Sequence, residues 1–178
     1  MKITLNSFFI CGIASFVLMT FSGCCMFSPK IKAYNVNLSL DESLQGSTIQ
    51  VDLIGFNEGN LSRYKSYSVS NYFGDPDDRI RNLSEKKQFI FGQGQPMEQA
   101  MLDTDPMWEV WLDQEKALYL LALVDLPGVI EDKDAQSDPR RLIMPLDKCL
   151  WQGNVKTIDI VISEVNVYSL QNFEDENL

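Results

Sequence analysis

The sequence predicts a mainly β protein: a single β-sandwich of six or seven strands carrying one or two short helices. Three observations lead there. Residues 36–40 and 49–53 alternate apolar and polar side chains with period two, the mark of a half-buried strand. Residues 117–124 are almost continuously apolar, as a central strand covered on both faces would be. Clusters of Gly, Pro, Asn, Asp and Ser punctuate the chain at short intervals, and no segment repeats.

The elements follow in order. Val36, Leu38 and Leu40 face one way from a first strand, and 41–47 form a turn. Ile49, Val51 and Leu53 make a second strand, closed by Gly55 and Asn57-Glu58-Gly59-Asn60. Leu61, Tyr64, Ser68 and Tyr72 keep helical spacing, which places a short helix within 61–73. A loop at 74–78 and a strand at 88–91 come next. Asp105-Pro106 is a helix start, because Asp caps free N–H groups and Pro at the first helical position loses nothing. Trp108, Trp111 and Leu112 then share one helix face. The 117–124 strand ends at Pro127-Gly128, and an acidic loop spans 131–138. A short strand at 142–144 and one long strand over 157–168 complete the domain. This gives a domain over 33–170 and an acidic tail at 171–178 that is expected to fray.

Composition removes several functions. The 178 residues include 15 basic and 25 acidic side chains, a net charge of −10, and no histidine. Nucleic acid would be repelled by so acidic a chain. Without histidine there is no Ser-His-Asp or Cys-His catalysis, and the commonest zinc ligand is missing. No residue is assigned a catalytic role, and neither an enzyme nor a cofactor is expected.

The N-terminus points to a compartment. One lysine, an uncharged run over 3–29 and the ending Phe21-Ser22-Gly23-Cys24 have the layout of a secretory signal. The ending resembles the bacterial lipobox, in which small residues precede a cysteine that is fatty-acylated, palmitate being a typical chain, and becomes the mature N-terminus. The resemblance implies a signal peptide at 1–23, lipidation at Cys24 and a lipidated tether at 24–32. The competing reading is a spanning anchor, since about 20 apolar residues suffice to cross a bilayer. Multiple acyl chains hold firmly, each buried CH₂ contributing about 0.8 kcal/mol. Cys25 follows Cys24 where lipoproteins kept at the inner membrane carry Asp. That implies the outer membrane, facing the periplasm. Cys11 leaves with the signal, so Cys25 and Cys149 remain in an oxidising compartment. The plain reading leaves Cys25 free at the membrane and packs Cys149 near Trp151; a Cys25–Cys149 bridge is the alternative.

Two clusters invite a ligand. Glu131, Asp132, Asp134 and Asp138 offer hard oxygens, but Gln136 and Ser137 break the Ca²⁺-loop template, so no metal is expected. A solvated loop, balanced by Arg140 and Arg141, is the reading there and for Asp75, Asp77 and Asp78. Tyr64, Tyr67, Tyr72 and Phe73 are read as core cover for a sheet face ahead of a binding patch.

The order of elements over 34–170, with Val51-Asp52-Leu53-Ile54-Gly55 and Ala122-Leu123-Val124-Asp125-Leu126-Pro127-Gly128, resembles the TssJ family, the outer-membrane lipoproteins of type VI secretion. The segment Asp138-Pro139-Arg140-Arg141 departs from that family's pattern. The resemblance implies a transthyretin-like β-sandwich and a non-enzymatic anchor. It further implies a periplasmic or inner-membrane protein partner, bound through the loop after the first strand, here Asp41, Glu42, Ser43, Leu44 and Gln45. The competing class is a ligand-binding or carbohydrate-active periplasmic lipoprotein.

Overall fold

A computed structural model describes residues 29–128 and 138–174, and the statements below concern those residues. The eight strands are β1 (Asn35–Leu40), β2 (Ile49–Phe56), β3 (Lys86–Phe91), β4 (Glu98–Met101), β5 (Tyr119–Val124), β6 (Arg141–Pro145), β7 (Thr157–Ile162) and β8 (Val167–Ser169). They form two four-stranded sheets, ordered β4-β1-β7-β8 and β3-β2-β5-β6. The β-sandwich expected from the alternating patterns is the fold found. Strands β1 and β7 pair in parallel, Asn35 opposite Thr157 and Leu40 opposite Ile162, whereas every other ladder is antiparallel.

The period-two strands explain the sandwich. Val36, Leu38, Ile158 and Ile160 from one sheet meet Val51, Leu53, Leu120 and Ala122 from the other, all fully buried. Strand β5 is buried at every position, as its unbroken apolar run requires. Its other face, with Ile54 and Phe56, supports a second core under three helices, α1 (Leu61–Ser66), α2 (Val69–Gly74) and α3 (Arg79–Leu83). Tyr64 and Tyr72 are buried there and Tyr67 and Phe73 half-buried, so the aromatic cluster is core cover.

A fourth helix, α4 (Met107–Glu109), runs on as a π-helical turn over Val110–Gln114. Asp105 starts it as expected, its Oδ1 accepting the Met107 N–H at 3.0 Å while Oδ2 meets Lys87 Nζ at 2.7 Å. Burial pushes the Asp105 carboxyl up, but Lys87 and the Met107 N–H outweigh it and hold it below the ordinary value. Trp108 and Trp111 pack edge to face with centroids 5.2 Å apart. A Cβ at position 55 would lie 2.4 Å from Trp111 Cγ, so only glycine admits the indole there.

Four expectations change. The long strand over 157–168 is two strands, because Ser163 Oγ accepts the Asn166 N–H at 3.1 Å and turns the chain. The 61–73 helix is two helices, broken at Tyr67 and Ser68, with Ser68 Oγ capping the second through Asn71 N–H at 2.9 Å. Strand β4 and helix α3 were not foreseen; β4 buries only Met101 of its four side chains and so carries little pattern. Asp138 and Arg140 are not a solvated pair: they are 3% and 4% exposed and bonded to each other.

Candidate interaction surfaces

The topology sorts the connections between two ends of the sandwich. At one end the N-terminal segment enters: Ile31 bridges Asp147, Lys148 N–H donates to Lys30 O at 3.1 Å, and Lys30 N–H donates to Asp147 Oδ1 at 2.9 Å. Strand β1 then crosses the molecule. Its six residues span about 20 Å at the usual rise of a strand. It delivers Asp41, Glu42, Ser43, Leu44 and Gln45 to the opposite end, where Asp41 N–H donates to Ile162 O at 2.8 Å. The expected lipidation residue, Cys24, lies outside the described residues, as do Cys25 and the acidic loop up to residue 137.

The loop is a built turn. Asp41 Oδ1 accepts the Ser43 N–H at 3.0 Å and opens a single 3₁₀ turn, Glu42–Leu44. The Ser43 N–H and hydroxyl hold the Asp41 carboxyl below the ordinary value. Gly46 takes φ +86°, a left-handed conformation that suits glycine, and returns the chain to β2. Leu44 is 1% exposed and belongs to the inter-sheet core. Asp41, Glu42, Ser43 and Gln45 are exposed. Of the five residues, then, four are presented to solvent, and Leu44 pins the turn that presents them.

A second constellation was not visible in the sequence. Asp52, fully buried in β2, accepts from Tyr72 Oη at 2.7 Å and from Gln50 and Gln88 Nε2 at 3.1 Å each, with Lys86 Nζ at 3.7 Å. Burial and then the Asp52 charge push the Tyr72 hydroxyl well above its ordinary value, so it stays a donor at any physiological pH. Arg140 fastens the same helical layer from the other side. It meets Asp138 Oδ2 at 2.9 Å and donates to Ser70 Oγ at 3.0 Å, while Arg141 donates to Lys65 O at 2.7 Å and to Tyr67 O. Two basic residues beside an acid in a loop gave no sign of this; only the fold shows that they reach α1 and α2.

A cavity of about 700 Å³ opens between this helical layer and the β2 end, lined by Arg63, Tyr64, Tyr67, Asp78, Arg79 and Glu115 among others. Its tyrosines and its central acid are already engaged. Tyr67 donates to Asp78 Oδ2, Asp78 Oδ1 caps α3 through the Arg81 N–H at 2.7 Å, and Tyr64 Oη shares a hydrogen bond with Ser84 Oγ at 3.1 Å. Asp75 Oδ1 likewise accepts the Asp77 N–H at 2.9 Å. Asp78 is buried and so departs from the solvated loop expected of it, whereas Asp75 and Asp77 are exposed in a local turn, as expected. Among the described residues no group of His, Cys, Asp and Glu could hold a metal ion.

The corner where the N-terminal segment enters is basic. Lys30, Lys32, Lys148 and Lys156 gather there, Lys148 and Lys156 exposed and the other two half-exposed. Lys32 lies over the Tyr34 ring at 4.3 Å and donates to Val155 O at 2.8 Å. Burial, then Lys148 and Lys156, lower its pKa, with Asp103 opposing. Beside them Cys149 is disulfide-bonded, which corrects the plain reading of a merely packed thiol. No described helix is long and apolar enough to cross a membrane.

No protein-family model matches the chain, and no curated protein matches its sequence. Solved structures do share its shape. The chain is similar to the C-terminal domain (869–1107) of the type VI secretion protein TssM from EAEC, with TM-score 0.50 and 14% identity over 77% of this chain and 99% of that one. It is also similar to Serratia marcescens Lip, a membrane-bound component of the type VI secretion system, with TM-score 0.47 and 11% identity over 78% of this chain and 97% of that one. The type VI lipoprotein TssJ1 from Pseudomonas aeruginosa gives TM-score 0.44 and 8% identity over 81% of this chain and 98% of that one. At such identities the first of these speaks to the fold alone.

Proposed function

We propose that this chain is a lipid-anchored, non-enzymatic component of a type VI secretion envelope complex, held at the periplasmic face of the outer membrane. Its loop Asp41–Gln45 meets the periplasmic part of an inner-membrane partner. The observation that carries this reading is the polarity of the sandwich. The N-terminal segment enters at one end, and β1 delivers the exposed turn to the other. An anchor that must reach across a compartment needs its attachment point and its partner surface at opposite ends.

Further support comes from the Phe21-Ser22-Gly23-Cys24 ending, the TssJ-like order of elements, and the sandwich shared with a TssM domain. The missing histidine and the structural use of Asp52, Asp75, Asp78 and Asp138 favour a binding role over a hydrolytic one.

The test is processing. Cells expressing the full chain are fed an alkyne fatty acid and their membranes fractionated. The wild-type chain should take up label and sediment with the outer membrane, whereas Cys24→Ala should remain an unlabelled precursor. Label entering Cys24→Ala, or none entering the wild type, would overturn the reading.

A further inference from the structure

We infer that the outer face of the β4-β1-β7-β8 sheet is a docking surface for a segment of a partner protein that presents arginine or lysine among apolar side chains. This surface is distinct from the loop after β1, and the inference stands whether or not the chain is acylated.

The face follows from register. Val36, Leu38, Ile158 and Ile160 point into the core, so their neighbours along β1 and β7 point outward. One outward row runs Ala100, Asn37, Asp159, and Leu170 joins it through its N–H, which donates to Asp159 O at 2.9 Å. The next row runs Glu98, Ser39, Val161, Tyr168. Short side chains therefore occupy the middle of the sheet. Tyr168 and Leu170 stand along one edge, 40% and 60% exposed, and Glu98 stands exposed on the other. A groove of about 400 Å³ lies along this face, over Asn37 and Ser39. Helices α1–α3 cover the other sheet.

Charge selects the occupant. Asp159 is locked in place: Oδ1 accepts from Asn37 Nδ2 at 2.7 Å, Oδ2 accepts from Gln171 Nε2 at 2.6 Å, and its N–H donates to Gln171 Oε1 at 2.8 Å. Both side-chain donors are neutral amides, so the carboxylate is oriented without being neutralised. It offers about four acceptor positions, of which two are used. Asp52, Asp105 and Asp138 each have a lysine or arginine at 3.7, 2.7 and 2.9 Å respectively. Among the described residues neither Asp159 nor Glu98 has one. The four strands of this sheet contain no lysine or arginine at all. Lys156 precedes Thr157 and so alternates away from the outward set of β7, while Lys32 lies over Tyr34 and bonds Val155 O.

A basic side chain laid across β8 meets both halves of the surface. Its methylene stem covers Leu170 and the ring of Tyr168, and its charged head reaches Asp159 without displacing an existing bond. A second copy of this face would set Asp159 and Glu98 against like charges, and phosphate would be repelled, so neither matches the surface.

The chain as isolated from its own cells tests this, titrated with fluorescein-labelled peptides that alternate leucine with arginine or leucine with glutamate. The leucine–arginine peptide should bind at least about tenfold more tightly. Asp159→Asn/Glu98→Gln should weaken that binding about tenfold, the size of one charge-assisted hydrogen bond. Glu109→Gln/Asp113→Asn removes the same charge from exposed positions on α4 and its π-helical turn, and should change it less than about twofold. Leu170→Ser keeps the charge and should weaken binding about threefold. Equal losses from the two charge-removing pairs would overturn the inference, because net charge alone would then attract the peptide. So would displacement of the peptide by a neutral N-acetylglucosamine oligomer, which would mark a glycan as the occupant. Dimerisation that Leu170→Ser abolishes would overturn it too, giving the face to a second copy.

Discussion

The outward faces of the two sheets carry carboxylates at comparable places, Asp52 in β2 and Asp159 in β7, and the fold treats them oppositely. Asp52 lies under α1–α3, fully buried, with Tyr72, Gln50, Gln88 and Lys86 around it. Asp159 lies on a face that no helix covers, half-exposed, and accepts from Asn37 Nδ2 at 2.7 Å and Gln171 Nε2 at 2.6 Å. Both are bonded, but only one bond set is sheltered from water. The same residue type therefore fixes a layer in one sheet and decorates a surface in the other. The difference leaves the outer face of one sheet to the helices and, among the described residues, that of the other to solvent.

Removing the carboxylates separates the two cases most strongly. Asp52→Ala strands the buried Tyr72 hydroxyl and two amides and should cost about 3 kcal/mol in urea unfolding. Asp159→Ala, whose former partners can turn to water, should cost at most about 0.5 kcal/mol. Equal costs would break the comparison. Arg140→Ala should match Asp52→Ala in size. It leaves Asp138 buried without its cation and frees α2 at Ser70, and a loss of about 3 kcal/mol is expected when a buried pair is broken from one side. Protease sensitivity rising first within 61–83 would place that loss in the helical layer.

Tyr72→Phe sharpens the comparison, because it keeps the ring against Phe73 and removes only the hydroxyl. About 1–2 kcal/mol should go, and a double-mutant cycle with Asp52→Asn should show coupling that the pair Asn37–Asp159 lacks. Asp105→Ala is smaller, about 1 kcal/mol for a lost helix cap. Its pH dependence has a definite sign. The folded pKa is lowered, so the contribution is present at neutral pH, above the unfolded value, and is lost as pH falls through the folded pKa. A cost that persists unchanged in acid would show that the cap is not ionic.

The sequence carried what period and punctuation can carry. Strands β1, β2 and β5 were legible because their alternation or continuity follows directly from which faces are covered. The turn at Ser163–Asn166 was not, because Val165 and Val167 prolong the apolar run past Ile162; the sign was the break of phase at Glu164, and Val165 is 72% exposed. The aromatic cover over 64–73 was legible as apolar mass. Its fastening by Asp52, Arg140 and Arg141 was not, because the partners lie as far as 76 residues apart along the chain. Of the candidate surfaces, the loop after β1 was readable as a turn from its composition, but Leu44 as its inward pin needed the fold. The lysine corner joins residues near 31 with residues near 148 through one bridge, which no local pattern announces.

The central claim is that the two ends of the sandwich face different neighbours. A photo-cross-linking residue placed at Ser43, and separately at Lys148, in the full chain in its own envelope tests it directly. The account predicts that Ser43 captures an inner-membrane protein through its periplasmic part while Lys148 captures phospholipid. Capture of phospholipid from Ser43, or of the same protein from both positions, would contradict it.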